Sequence, residues 1–307
     1  MQPREYALAV LESLRIHFFA LPATAVLAGA ASTGSTEIRL PVLLAAIGAA
    51  FGWGGGQLLN DLLDVKADSI DAPTRPAPRG LLPAKPTLLI VTLIAVFVAG
   101  VTCWVHEAGI ALAVLAALLL VVYGPCKRWP GLGNLAHGAL MAVAVFIGAA
   151  AARPDDPLSV IVRASSETAA LAGSWAAIYL QANYEKDRRG DAAARVVTLP
   201  HLIGLRASAG ARAVLATLWG GAVWHMAEGA SPFATGGAVA LVGISAAITF
   251  QGNSEAAALR GYRYAVHGTA VGFLALARPV LPTPAFVGLM LLAGGLVELA
   301  FWRHPNP

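Results

Sequence analysis

Asn60-Asp61-Leu62-Leu63-Asp64-Val65-Lys66-Ala67-Asp68 continues without interruption from the apolar run 41–59, and Asn183-Tyr184-Glu185-Lys186-Asp187-Arg188-Arg189-Gly190-Asp191 continues in the same way from the run 167–183. In each, an Asn is followed by Asp at the fourth and eighth positions after it, so a helix carried past the apolar run would place all three side chains on one face. Asp61 points about 100° away from Asn60 on such a helix. Carboxylates stacked on one face repel each other unless a cation sits among them. Either cluster alone reads as solvated charge at a helix end, offset by Lys66 in the first and by Lys186, Arg188 and Arg189 in the second. The matched spacing argues instead for a shared cation.

The surroundings of these stretches are apolar. The chain has 307 residues, 57% hydrophobic and only 12% charged, against about 25% charged in an ordinary soluble domain. That composition excludes a soluble globule and points to an all-α, polytopic transmembrane bundle. Apolar runs fall at approximately 15–31, 41–59, 86–105, 108–124, 134–152, 167–183, 208–228, 233–250, 264–281 and 284–302, and about 20 residues span a hydrocarbon core. The expectation is a nine-helix core with a tenth C-terminal helix, in a single integral-membrane domain over 1–307. The run at 264–281, which holds His267 and Arg278, is the weakest, and a re-entrant piece there is the alternative. The first run lacks a signal-peptidase site and reads as a retained helix.

Alternating the runs across a membrane puts 17 of the 21 Lys and Arg residues on one side and leaves Arg39, Arg153, Arg163 and Arg278 on the other. By the positive-inside rule the crowded side is cytoplasmic, with the protein in the inner membrane. Both acidic clusters lie on that side, which makes it the place for a site. Two opposed acidic faces supply the hard oxygen ligands of Mg²⁺, which typically binds a few carboxylates together with substrate phosphates. Arg75 and Arg79 follow the first cluster and Tyr123-Gly124-Pro125-Cys126-Lys127-Arg128 ends the fourth run on the same side; Lys and Arg there complement phosphate charge, with the positive-inside bias itself as the other explanation. For Arg128, Arg206, Arg212, Arg260 and Arg263, membrane sidedness is explanation enough. Two cysteines, Cys103 and Cys126, fall on opposite sides and form no disulfide framework.

The stretch Asn60 to Asp68 reproduces the N-D-x-x-D-x-x-x-D signature of the UbiA superfamily of intramembrane prenyltransferases, and Asp187 to Asp191 resembles its second D-x-x-x-D motif. Arg75-Pro76 with Gly80, Tyr123 four residues before Lys127, Leu132-Gly133-Asn134 and Thr198-Leu199-Pro200 extend the likeness across most of the chain. The glycine common shortly after the second motif is replaced by Arg195.

The resemblance implies a helical bundle whose polar cap binds a prenyl diphosphate through Mg²⁺. Asn60, Asp64, Asp68, Asp187 and Asp191 would hold the metal, with Asp61 a further candidate despite its direction. Asn60, Arg75, Tyr123, Lys127 and Asn183 would contact the diphosphate, and Asp64, Asp68, Asp187, Asp191 and Lys127 would carry catalysis by stabilising the leaving pyrophosphate. The implied partners are a prenyl diphosphate, a small-molecule acceptor of aromatic or quinone-precursor type and membrane lipid. No nucleic acid or protein partner is implied. Cyclisation of the donor itself needs the same metal site, so the motifs leave open transfer against cyclisation, along with chain length and acceptor.

On the sixth run Trp175, Tyr179, Asn183, Asp187 and Asp191 form an i+4 series, and Trp53 lies seven residues before Asn60. Trp53, Gly56, Trp175 and Tyr179 are therefore candidate chamber lining, with cation–π contact to a carbocation or plain helix packing as the two explanations. The seven histidines show no metal-ligand spacing; His137 and His267 are the two whose positions suit a chamber-facing proton acceptor. No nucleotide loop, nucleophile elbow or zinc signature occurs. A transporter would carry its charges near the membrane midplane rather than at one face.

Overall fold

The computed structural model describes residues 2–227 and 229–303, and among these there are helices and no strands. In chain order they are α1 (Pro3–Ser13), a 3₁₀ turn (Ile16–Phe18), α2 (Ala20–Ser32), α3 (Leu40–Leu63), α4 (Val65–Asp71), α5 (Ala84–Val105), α6 (Gly109–Cys126), α7 (Leu132–Ala152), α8 (Leu158–Lys186), α9 (Arg188–Ala193), α10 (Leu199–Met226), α11 (Pro232–Gly252), α12 (Glu255–Ala277), a second 3₁₀ turn (Arg278–Val280) and α13 (Thr283–Arg303). Each of the ten apolar runs falls on a helix or, in the first, on a pair bent by 43°. The bend follows Arg15, which takes a left-handed conformation with φ of 51°.

Six helices, α3, α5, α6, α7, α11 and α13, are long and apolar enough to cross a membrane, seven with the bent pair. α8, α10 and α12 are as long, but polar side chains dilute them, among them Gln181, Glu185, Ser208, Arg212, Arg263 and His267. Several of these are buried within the bundle, where a partner offsets the cost of a polar group. α5, α6 and α13 are the reverse: few of their residues are buried, as apolar faces turned towards lipid would be.

The long helices pack in a ring in chain order, α2 on α3, α3 on α5, α5 on α6, α6 on α7, α7 on α8, then α8, α10, α11 and α12, which closes back on α2. α13 lies outside, against α12 and the first 3₁₀ turn. Small residues set the close crossings, as at α2–α7, where a Cβ added at Gly29 or Gly148 would collide with the Val145 or Val26 carbonyl oxygen, and at α7–α8. A Cβ added at Gly138 would come within 2.6 Å of the Gly173 carbonyl oxygen, and one at Gly173 within 2.8 Å of that of Gly138. Such closeness is open only to glycine.

Both long helices that carry an acidic motif break inside it, contrary to the continuous helix expected. α3 stops at Leu63 and α4 starts at Val65, with Asp64 between them at φ −98° and ψ 13°. α8 stops at Lys186 and α9 starts at Arg188, with Asp187 between them at φ −94° and ψ 14°. The four-residue hydrogen-bond register nonetheless persists through each break: Asp64 N–H donates to Asn60 and Asp68 N–H to Asp64 at 2.8 and 2.9 Å, and Asp187 and Asp191 repeat this at 3.1 and 3.0 Å. A short polar side chain competes with the helix ladder and tolerates the bridge region of backbone space. The motif is therefore bent at its middle Asp, and α4 packs on α9 above the bundle.

Candidate active site

The ends of α3, α6 and α8 meet beneath α4 and α9. Lys127, one residue past α6, ties the two motifs together: its Nζ lies 3.6 Å from Asp64 and 3.1 Å from Asp191. Arg75, in the loop after α4, pairs with Asp68 at 2.7 Å, and Lys186 pairs with Asp187 at 2.6 Å. Asn183 donates from Nδ2 to Asp187 at 3.0 Å. Burial opposes the Lys127 charge, but the Asp191 and Asp64 carboxylates outweigh it and raise its pKa. Burial likewise opposes ionisation of Asp187, yet Lys186 and Arg75 hold its carboxyl below the ordinary value. At Asp191 burial prevails over Lys127 and the pKa rises.

Two connected cavities lie below this lattice. The polar one, about 160 Å³, is bordered by Asn60, Asp64, Asp68, Arg75, Tyr123, Lys127, Asn183 and Asp187, with Trp53, Gly56, His137, Tyr179 and Tyr262. The apolar one, about 360 Å³, lies between α3, α5, α6 and α7. Trp53, Gly56, Leu59, Leu120, Val121 and Leu140 border both, so a molecule can hold a charged head in one and an apolar tail in the other.

Trp53, Gly56 and Tyr179 thus border the chamber, and Trp175 does not. Its indole N–H donates to the Thr269 carbonyl at 3.2 Å, its ring stacks on Trp219 with centroids 4.0 Å apart, and it packs where Gly272 has no side chain. For this residue helix packing is the explanation. The deeper apolar wall comes from α5, α6 and α7 rather than from α8. Asp61 stands apart from the other acids: it is buried, accepts from Arg15 at 2.7 Å, and faces a different hollow beside α1 and α13. Arg212 is also not a sidedness charge. It is 1% exposed and clamps Glu185 at 2.8 Å, while its Nη1 donates to Ser245 at 2.7 Å.

Reading the sequence missed Arg15 and Tyr262 as chamber neighbours. Tyr262 shares a 2.6 Å hydrogen bond with Tyr179, and Lys186 lies 4.8 Å above its ring centroid. No local pattern marks either residue, because Arg15 comes from the turn after α1 and Tyr262 from α12, both far from the motifs in sequence.

The remaining motif residues have structural work. A Cβ at Gly133 would collide with the Tyr184 hydroxyl, and Asn134 donates from Nδ2 to the Ala177 carbonyl at 2.9 Å. Thr198 precedes α10, which has Pro200 in its first turn, and Thr198 N–H donates to His201 Nδ1 at 3.1 Å.

The donor set suits a hard divalent ion. Asp68 Oδ2 and Asp191 Oδ2 are buried without hydrogen-bond partners, which leaves carboxylate oxygens for ligation. Among the described residues no three His, Cys, Asp or Glu side chains converge as a ready-made cage. Mg²⁺ has no need of one, since it keeps waters and takes much of its shell from phosphate.

A bundle with paired Asp motifs roofing a two-part, head-and-tail chamber is the architecture of an intramembrane prenyltransferase. The chain belongs to the UbiA prenyltransferase family, whose family model matches residues 19–267. It is 32% identical over 201 residues to the digeranylgeranylglyceryl phosphate synthase of Methanothrix thermoacetophila, a match covering 61% of this chain and 70% of that protein. Its fold is shared with a UbiA homolog from Aeropyrum pernix, with a TM-score of 0.70 at 19% identity over 92% of this chain and 98% of the other. A UbiA homolog from Archaeoglobus fulgidus, bound to GPP and Mg²⁺, aligns with a TM-score of 0.56 at 14% identity over 86% and 99% of the two chains.

Proposed function

We propose that this protein transfers a prenyl group from a prenyl diphosphate to an acceptor with the help of Mg²⁺, releasing pyrophosphate. The observation that carries this reading is the junction of the two cavities at Trp53, Gly56 and Leu120. A carboxylate-and-cation head space opening into an apolar hollow fits one amphiphile, a diphosphate on an isoprenoid tail. Asn60, Asp64, Asp68, Asp187 and Asp191 are the residues to hold Mg²⁺, which when bound supplies Lewis-acid neutralisation of the leaving group. Asn60, Arg75, Tyr123, Lys127 and Asn183 bind the diphosphate and orient it, with Lys127 and Arg75 compensating the charge that grows as the C–O bond breaks. The apolar hollow keeps water from the allylic cation.

The family alone suggests an aromatic or quinone-precursor acceptor. The relative's name favours another: digeranylgeranylglyceryl phosphate carries two prenyl groups on one glyceryl phosphate, so its synthesis calls for the hydroxyl of a monoprenyl glyceryl phosphate. We adopt that acceptor class here, and it also supports transfer over cyclisation. The whole chain, 1–307, acts as one integral-membrane domain. The Lys and Arg excess around the cap supports a cytoplasmic-facing site in the inner membrane.

The test is turnover of geranylgeranyl diphosphate by the full chain in liposomes, with and without geranylgeranylglyceryl phosphate. The expected result is acceptor-dependent product and pyrophosphate, abolished by chelator and restored by Mg²⁺. A cyclic product from donor alone would replace transfer with cyclisation, and full activity in excess chelator would overturn the metal role of both motifs.

A further inference from the structure

Alkylating a hydroxyl or an aromatic carbon expels a proton, and the transfer proposed above needs a group to receive it. The acids of the chamber are poor choices, because Asp64, Asp68, Asp187 and Asp191 are tied to Lys127, Arg75 and Lys186 and belong to the diphosphate end. Tyr123, Tyr179 and Tyr262 are hydroxyls whose protons are held far above neutral pH in an ordinary tyrosine. One bordering side chain remains with a lone pair suited to the task.

His137 lies on α7, is 8% exposed and borders the polar cavity. Three aromatic rings lie close to it, Trp53 at 5.4 Å, Tyr123 at 6.2 Å and Tyr179 at 6.3 Å between centroids. Among the described residues neither ring nitrogen has a hydrogen-bond partner, although His106 and His201 on the same chain are each bonded through both. The nitrogens of His137 are thus left to whatever occupies the polar cavity that the ring borders. Its depth is also informative. Leu140, three residues further along α7, borders both cavities, as does Trp53. The imidazole therefore sits where head space meets tail space, the level at which C1 of a bound donor would lie.

We infer that His137 is the proton acceptor of the prenyl transfer, an inference that rests on the function proposed above. The C1–O bond of the donor breaks and its electron pair leaves on pyrophosphate. The acceptor oxygen gives a lone pair to C1, and the O–H pair stays on that oxygen as the His137 lone pair takes the proton. The imidazolium passes that proton to the departing pyrophosphate or to water when the site opens. No redox partner is required.

The test uses His137→Ala and His137→Phe in the full chain, reconstituted in liposomes with geranylgeranyl diphosphate, geranylgeranylglyceryl phosphate and Mg²⁺. General-base removal typically costs on the order of 10²-fold or more in rate. The expected result is such a loss in kcat for both variants with the donor KM little changed. Added imidazole should restore turnover to His137→Ala, whose cavity can admit it, and not to His137→Phe, whose ring fills the space. Undiminished alkylation in both variants would overturn the assignment. So would a loss in His137→Ala that imidazole does not repair while donor binding stays intact. Wild-type turnover separates the two levels of argument: its absence overturns the transferase reading itself, whereas wild-type turnover with an unaffected or unrescued variant overturns only the role of His137.

Discussion

At Asp64 and at Asp187 the chain makes the same turn from a long helix into a short one, with φ, ψ of −98°, 13° and −94°, 14°, yet the side chains around the two turns are buried to different degrees. At matched positions the second motif is the more buried, Asp64 being 32% exposed against 17% for Asp187 and Asp68 11% against 2% for Asp191, although one lysine contacts an Asp of each. Asp64 is the most open of the four to the chamber, and Asp191, which does not border it, is the most deeply built into the protein. Repetition of a sequence pattern thus reproduced a backbone geometry without reproducing its energetics, since burial decides how much an ionic contact is worth.

The largest effect should fall on the open half. Replacing Asp64 by Asn removes charge facing the chamber while leaving a side chain of similar shape, so folding should survive and turnover should not. A loss on the order of 10²-fold or more in kcat is expected, comparable to deleting one electrostatic stabiliser of a transition state. Asp61→Asn should leave Mg²⁺ dependence intact, because that carboxylate answers to Arg15. Metal titrations of both variants check this. A severe metal defect at Asp61 with a mild one at Asp64 would invert the assignment of faces.

In the sealed half the same substitution should act on the fold as well. Asp191→Asn strips Lys127 of its nearer partner within a buried lattice, and breaking such a pair typically costs about 3 kcal/mol or more. Thermal unfolding in detergent should drop clearly for Asp191→Asn and little for Asp64→Asn. Equal shifts would show that the difference in burial has no energetic consequence.

A third test addresses the floor beneath the two motifs. A Cβ at Gly56 would meet Leu120 Cδ2 at 2.9 Å, so Gly56→Leu must either displace that flexible side chain or fill the hollow both border. Overpacking of this kind costs about 1–3 kcal/mol. Long-tailed donors should lose roughly tenfold in kcat/KM relative to short ones, with metal dependence unchanged. Unaltered relative rates in an active variant would remove the tail from this cavity.

How much of this was legible in the sequence follows from what kind of signal each feature leaves. The paired Asp spacing is local, and it led to the cap and to the four-residue register that persists through the breaks, whereas Lys127 came from the family resemblance. The breaks themselves left no mark, because Asn-x-x-x-Asp is as compatible with a straight helix as with a bent one. The hollow between α5, α6 and α7 was illegible for another reason. Alanine, valine and leucine facing lipid, protein or a cavity look alike in a sequence, and only packing separates them. Arg212 was misread as a surface charge because its partner, Glu185, lies on a different helix, and Trp175 because an aromatic stripe is common to chambers and cores.

The smallest expected effect tests where the two motifs part company. α4 ends at Ala72 with φ −142°, whereas α9 ends through Arg195 with φ 59°. There Val196 N–H donates to the Asp191 carbonyl at 2.7 Å and Arg195 N–H to that of Ala192 at 3.0 Å, the paired bonds of a left-handed helix stop. A side chain in that conformation costs about 1–2 kcal/mol, and glycine's greater freedom in the unfolded chain offsets about 0.4–1 kcal/mol of the gain from removing it. Arg195 is exposed and is not among the ion pairs that hold the cap. Arg195→Gly should therefore stabilise the protein by about 0.5–1 kcal/mol, with kcat and metal dependence unchanged. Thermal unfolding reads the first and donor turnover the second. If the variant were instead less stable, the strain at Arg195 would have to be balanced by a contact of its guanidinium, and the second motif would differ from the first in its loop as well as in its burial.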